Sequence, residues 1–189
     1  TFDIRQRVHG EQPLGDAVHS IGGDDVVCKL HASGSGGEIA GHAATMDPRP
    51  GSDRPSGLRR AVELALEDAD AEPGEIDVVF ADAAAVPELD RVEAQALADV
   101  FGPRGVPVTA PKTMTGRLYS GAAPLDLAAA LLALRDGVVP PTVASRPADD
   151  YALDLVTGAP RPAPLRTALV LARGQGGFNS ALVVRAATR

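Results

Sequence analysis

The run Pro111-Lys-Thr-Met-Thr-Gly-Arg-Leu-Tyr-Ser-Gly-Ala-Ala-Pro-Leu-Asp126 places two cations, Lys112 and Arg117, in a loop and turn that lead into an apolar helix. A guanidinium stays protonated, so Arg117 cannot serve as a neutral acid or base, nor exchange hydrogen-bonding roles as an imidazole does. The other reactive side chains are scattered. The single cysteine, Cys28, lies in the apolar run Val26-Val27-Cys28-Lys29-Leu30, which favours a small half-buried thiol over a nucleophile. His9, His19, His31 and His42 contain no pair at short metal-ligand spacing, so solvated or loop histidines are the better reading. The glycine-rich Arg173-Gly-Gln-Gly-Gly-Phe-Asn179 lacks the Gly-Lys-Ser/Thr ending of a phosphate loop and lies between two strands. A tight strand-to-strand turn accounts for it better.

These residues must be carried by alternating strands and helices. Glu38–Thr45 reads as a strand and is followed by the turn Asp47-Pro-Arg-Pro-Gly51. Leu58, Val62, Leu64, Ala65, Leu66 and Ala69 recur at helical spacing within 55–71. Ile76–Ala81 is a short buried-type strand. Glu88–Phe101 is a second helix, with Leu89, Val92, Ala96, Leu97 and Val100 on its apolar side, and Val106–Ala110 a third strand. Tyr119–Arg135 is a third helix, closed by Asp136-Gly137. Two strands, Thr167–Leu171 and Ser180–Arg185, flank the glycine-rich turn. The expected class is α/β, a five-stranded mixed sheet with crossover helices in the order β-α-β-α-β-α-β-β. The third helix is apolar almost all round, so one sheet cannot cover it and a second layer must come from elsewhere.

Composition narrows the function. The chain is one domain's length, 44% hydrophobic and only 3% aromatic. A net charge of −7 argues against a nucleic-acid or anionic-membrane surface. One cysteine allows no internal disulfide framework. No apolar segment approaches the roughly 20 residues of a bilayer span. Thr1-Phe-Asp-Ile-Arg lacks the basic-then-apolar pattern of a secretory signal, which predicts a cytoplasmic location. The chain begins at Thr1, as expected of a processed, trimmed or partial product. The excess of Arg over Lys and the abundance of Ala suggest a high-GC bacterial gene. Residues 1–37 differ in character and end in Ser33-Gly-Ser-Gly-Gly37, a flexible linker by composition; 38–189 reads as the folded domain.

Several separate motifs then occur in an order that resembles the C-terminal half of a β-ketoacyl synthase of thiolase-like fold. They are Gly37-Glu-Ile-Ala-Gly41, Phe80-Ala-Asp-Ala83, Val106-Pro-Val-Thr-Ala-Pro-Lys-Thr-Met-Thr-Gly-Arg117, Ala133-Leu-Arg-Asp-Gly-Val138, Thr167-Ala-Leu-Val-Leu-Ala-Arg-Gly174 and Gly176-Gly-Phe-Asn179. Within that family the chain is most similar to the chain length factor, or ketosynthase β subunit, of type II aromatic polyketide synthases. The resemblance implies that two catalytic histidines, in Lys-x-Met-Thr-Gly-His and Ala-His-Gly-Thr motifs, are replaced by Arg117 and Asp82. It implies that the two lie close together as a salt bridge, Arg117 being buried, with Lys112, Gly174, Gly176, Gly177, Phe178 and Asn179 around the former active site.

No catalytic residue, cofactor or metal is then expected in this chain. The implied partners are a catalytic ketosynthase subunit, a chain supplying the missing N-terminal half, and an acyl carrier protein whose phosphopantetheine carries the substrates. Arg54, Arg59 and Arg60 are either contacts for that carrier or solvated residues of a helix start, the second being the better reading. Two other readings stand beside this one: a degenerate thiolase-fold half that self-associates as a structural or regulatory module, and an enzyme using Asp82 or Cys28. The last is weak, because no Cys/His or Ser/His set occurs.

Overall fold

A computed structural model describes residues 31–32, 35–49, 51–145 and 148–187. The readings on Cys28, His9, His19 and the rest of 1–30 lie outside them. The described strands are β1 (His31–Ala32), β2 (Ser35–Met46), β3 (Val78–Phe80), β4 (Pro107–Thr109), β5 (Val138–Val139), β6 (Asp154–Leu155), β7 (Arg161–Pro162), β8 (Thr167–Arg173) and β9 (Phe178–Ala186). The helices are α1 (Leu58–Asp68), α2 (Pro87–Phe101) and α3 (Ala122–Asp136).

Seven strands form one mixed sheet in the order β1-β2-β9-β8-β3-β4-β6, while β5 and β7 pair separately. The five strands expected from the sequence are its contiguous centre, β2-β9-β8-β3-β4. The sheet joins a parallel half (β8-β3-β4-β6) to an antiparallel half (β2-β9-β8). Val78, Val79, Phe80, Leu169, Leu171 and Val183 are all buried, as strands covered on both faces require. One face packs under α1 and α2, through Val62, Leu66, Leu97 and Leu169 among others. The opposite face packs under α3, where Ala130, Ala133 and Leu134 meet Val78, Phe80 and Val170.

β2 corrects the linker reading of the Gly/Ser tract, since Ser35, Gly36 and Gly37 belong to the strand. The glycines there answer to packing. A Cβ on Gly37 would lie within 2.3 Å of Leu131 on α3, and one on Gly41 within 2.5 Å of the Ala65 carbonyl on α1. A bulge between Ile39 and Gly41 turns these two residues to opposite faces of the sheet. α1 is shorter than its apolar spacing suggests. The Asp47 carboxylate accepts hydrogen bonds from Ser56 Oγ (2.6 Å) and the Gly57 N–H (2.8 Å), which hold the preceding residues as a turn.

α3 begins at Ala122, after a short 3₁₀ turn at Tyr119–Gly121, and ends where the Gly137 N–H meets the Ala133 carbonyl at 2.8 Å. Its sheet-facing side, including Asp126, Ala130, Ala133 and Leu134, is buried. Leu125 and Leu132, on the other side, are exposed. Leu89 is also exposed, contrary to its assignment to the apolar side of α2, where it sits in the first turn.

Candidate functional site

β3, β4 and β8 end at one edge of the sheet, where β9 also starts and β2 finishes. Asp82 lies two residues beyond the end of β3 and is buried. Glu93, in the second turn of α2, receives the N–H groups of Asp82 (2.7 Å) and Ala83 (2.9 Å) and so fixes the backbone that presents Asp82. Burial raises the Glu93 carboxyl above its ordinary value, against the opposing pull of those two N–H donors.

The Asp82 carboxylate gathers three elements. Its Oδ1 accepts the Arg173 N–H at 3.0 Å, from the end of β8. Its Oδ2 accepts from Arg117 Nη1 at 3.3 Å, and Arg117 Nη2 donates in turn to the Arg173 carbonyl at 2.6 Å. Lys112 Nζ stands 3.9 Å from Asp82 Oδ1 and 2.5 Å from Asp126 Oδ2 on α3. Lys112 and Asp126 are buried, and the contact between them, although close, lacks hydrogen-bond geometry; Nζ and both Asp126 oxygens have no hydrogen-bond partner among the described residues. Burial raises the Asp126 carboxyl, with Lys112 opposing. Arg117 departs from expectation in one respect: its side chain is 37% exposed, because it lies across the mouth of the site and not within it.

The glycine-rich segment forms a tight turn from β8 to β9, with the Gly174 N–H bonded to the Phe178 carbonyl at 2.8 Å. Gly176 and Gly177 take positive φ, and a Cβ on Gly177 would come within 2.8 Å of the Asp47 Cβ. Gly174 and Phe178 are exposed, whereas Asn179 is buried. Asn179 donates to Asp47 Oδ1 (2.8 Å) and accepts from Arg173 Nε (3.1 Å). Arg173 also donates to the Leu89 carbonyl (3.1 Å) and Asp47 Oδ2 (3.2 Å). Burial opposes ionisation of Asp47, but hydrogen bonds from Ser56, Asn179 and Gly57 and the charge of Arg173 outweigh it, so its pKa falls below the ordinary value.

Sequence reasoning therefore reached Asp82, Lys112, Arg117 and the turn, and missed Glu93, Asp126, Asp47 and the side chain of Arg173. Asp126 did carry a signal, as the one charge in the first turns of an otherwise apolar helix. Asp47 was hidden in a Pro/Gly turn.

Chemically, the assembled groups pair charges and tie three strand ends together. An arginine and a buried lysine beside carboxylates supply no neutral imidazole-type acid or base at neutral pH. Elsewhere, Arg59 pairs with Glu63 (2.8 Å) and Asp99 (3.5 Å), and Arg60 with Glu67 (3.2 Å), so both are engaged on the helix surface. His42 is exposed beside Asp68. Among the described residues no group of side chains is arranged to hold a metal ion, and no helix is long and apolar enough to cross a membrane.

Residues 36–146 match the family described as β-ketoacyl synthase, C-terminal domain. The chain is 65% identical over 150 residues to the tetracenomycin polyketide synthase ketoacyl synthase beta subunit of Streptomyces glaucescens, covering 79% of this chain and 37% of that protein. It is 62% identical over 151 residues to the actinorhodin polyketide putative beta-ketoacyl synthase 2 of Streptomyces coelicolor, again covering 79% and 37%. Among solved structures it is similar to the ishigamide ketosynthase/chain length factor, with a TM-score of 0.74 and 29% identity over 80% of this chain and 38% of that one. It is also similar to a type II polyketide synthase acyl-carrier protein complex with its ketosynthase bound to the hexaketide, with a TM-score of 0.73 and 29% identity over 80% and 39%. The chain thus spans well under half the length of these relatives.

Proposed function

The chain belongs to the β-ketoacyl synthase family, as its C-terminal domain, and from that premise we propose that it is the C-terminal part of a non-catalytic ketosynthase β subunit, or chain length factor, of a type II polyketide synthase. One observation carries the reading. Where the family resemblance puts two catalytic histidines, Asp82 and Arg117 neutralise each other at 3.3 Å and are tied to both backbone groups of Arg173. A site closed by an ion pair holds its loops in place and moves no protons at neutral pH.

On this reading the subunit pairs with a catalytic ketosynthase and helps to bound the growing poly-β-ketone. The remainder of the fold comes from the region that the relatives have and this chain does not span. Extender units arrive on the phosphopantetheine of an acyl carrier protein, and the chain needs no cofactor of its own. The assembly works in the cytoplasm. The distribution of exposed apolar side chains supports a partnered state. Met46, Val86, Leu89, Met114, Leu118, Tyr119 and Phe178 are exposed, as are Leu125 and Leu132 on α3. Large apolar side chains left in water are what a partner surface would cover.

Two measurements test this. Native mass spectrometry of the purified chain should show it with a ketosynthase or with a chain bearing the rest of the fold; a compact 19.4 kDa monomer that binds no hydrophobic dye would refute the partnership, and self-pairing alone would favour a self-associating module. Incubation with malonyl-loaded carrier protein should release no carbon dioxide above background, whereas turnover abolished by Asp82→Ala would overturn the non-catalytic reading.

A further inference from the structure

Residues 114–121 carry the chain from the 3₁₀ turn Pro111–Met114 to the start of α3. Every one of them is exposed. Their large side chains hold little of the segment down, since Met114, Leu118 and Tyr119 are 62%, 44% and 74% exposed. A Cβ added to Gly116 would meet no atom within 4 Å. The backbone bonds are local. The N–H groups of Thr115 and Gly116 both reach the Lys112 carbonyl (3.0 and 2.8 Å), and the Gly121 N–H reaches the Leu118 carbonyl (2.9 Å). The chain turns at two left-handed residues, Gly116 (φ 78°) and Tyr119 (φ 50°), a conformation that costs a tyrosine more than a glycine.

One side chain ties this segment to the body of the molecule. Arg117 Nη1 donates to Asp82 Oδ2 beyond β3, and Nη2 to the Arg173 carbonyl at the end of β8. Among the described residues, no other side chain of 114–121 makes a hydrogen bond beyond its immediate neighbours in the chain; Thr115 Oγ1, for example, reaches only the Lys112 and Gly116 carbonyls. A segment with few buried contacts and a single anchor opens at low cost.

What lies beneath the anchor lowers that cost further. The Asp82 carboxylate stands between two cations, the half-exposed Arg117 at 3.3 Å and the buried Lys112 at 3.9 Å. Behind them Lys112 Nζ and both Asp126 oxygens are buried without a hydrogen-bond partner among the described residues. Closed, the segment leaves these three atoms unsatisfied; opened, water supplies their hydrogen bonds. The anchor's gain and the cost beneath it oppose each other.

We propose that residues 114–121 form a lid pinned by Arg117, and that release of this one guanidinium brings the Lys112 ammonium and the Asp126 carboxylate into contact with solvent. The pin is an ion pair at the surface, so ionic strength sets how often the lid is open. The lid stands independently of the ketosynthase β reading, because its anchor, its turning points and the pair beneath it all belong to this chain.

The test follows acetylation of the Lys112 amine by sulfosuccinimidyl acetate, read by peptide mass spectrometry, on the purified chain together with any subunit that accompanies it. An open state populated at about 0.1–10% makes wild type react roughly 10- to 1,000-fold more slowly than the chain unfolded in urea. Arg117→Ala should react roughly three- to fivefold faster than wild type, the worth of charge-assisted bonds at an exposed site, with its circular dichroism spectrum unchanged. Arg117→Gln, which keeps an amide donor without the charge, should fall between the two. Salt at about 1 M screens the pin, so it should bring wild type towards Arg117→Ala and leave that variant's rate unchanged. Arg59→Ala, on the α1 surface, should react as wild type does. Equal rates in wild type and Arg117→Ala, a wild type as reactive as the unfolded chain, or a salt effect of the same size in Arg117→Ala would each overturn the proposal.

Discussion

Two charged clusters sit side by side at the same edge of the sheet, and their accounts of hydrogen bonding differ. Around Asp47, both carboxylate oxygens are served by Ser56, Gly57, Asn179 and Arg173, and the three donor nitrogens of Arg173 are all engaged. Around Lys112, the ammonium and both oxygens of Asp126 are buried without a hydrogen bond among the described residues. The first cluster is complete within this chain and works as a latch joining β2, α1 and the β8–β9 turn. The second has the charges of a network without its geometry. The difference separates a cluster whose hydrogen bonds are complete among the described residues from one whose are not.

Removing the centre of the latch should break the comparison hardest. Arg173→Ala is expected to cost about 3 kcal/mol in chemical denaturation, since the side chain is 7% exposed and leaves three acceptors unpaired. A loss below about 1 kcal/mol would mean that the latch is ornamental.

Asp47→Ala should cost about 2 kcal/mol near neutral pH, from the loss of hydrogen bonds to a charged acceptor. The Asp47 carboxyl titrates below the ordinary 3.8 in the folded chain, so its contribution is present above that value and is lost as pH falls through the folded pKa. Wild type and variant should converge in acid below 3.8. A difference that persists there would assign Asp47 a packing role.

Arg117→Ala should matter less, by under about 1 kcal/mol, because a guanidinium more than a third exposed is screened by water. Arg59→Ala, on the α1 surface, should leave the melting temperature unchanged.

The smallest effect sharpens the comparison most. Replacing the second cluster with apolar groups, Lys112→Met with Asp126→Leu, should leave stability within about 1 kcal/mol of wild type at neutral pH, since a poorly bonded buried pair contributes little beyond its desolvation cost. Its pH trend should run opposite to that of Asp47→Ala. Asp126 has a raised pKa, so wild type has its full contribution below 3.8 and loses it as pH rises through the folded value, while the double variant does not. A large loss at neutral pH would show that the pair is bonded well within this chain.

What the sequence reveals follows the same division. The five central strands announce themselves as apolar runs and the helices by their spacing, because burial on a sheet or under a helix leaves a periodic trace. β1, β5, β6 and β7 are two residues each, too short to show a period. The latch left no trace at all: Arg173 and Asn179 reach Asp47 across 126 and 132 residues of chain, and neither spacing nor composition encodes such a meeting. Leu89 failed for another reason, since its place in the helical period is right but its position in the first turn of α2 leaves it in water.

Two of the glycines of β2, Gly37 and Gly41, have a mechanical meaning. Gly37 brings the strand's backbone against the Leu131 side chain, and Gly41 brings its other face against the Ala65 carbonyl, so at both points the strand adds no side chain of its own between the layers. The molecule is a laminate pinned twice along one strand. A Cβ added at either point would have to push a layer off the sheet, α3 at Gly37 and α1 at Gly41.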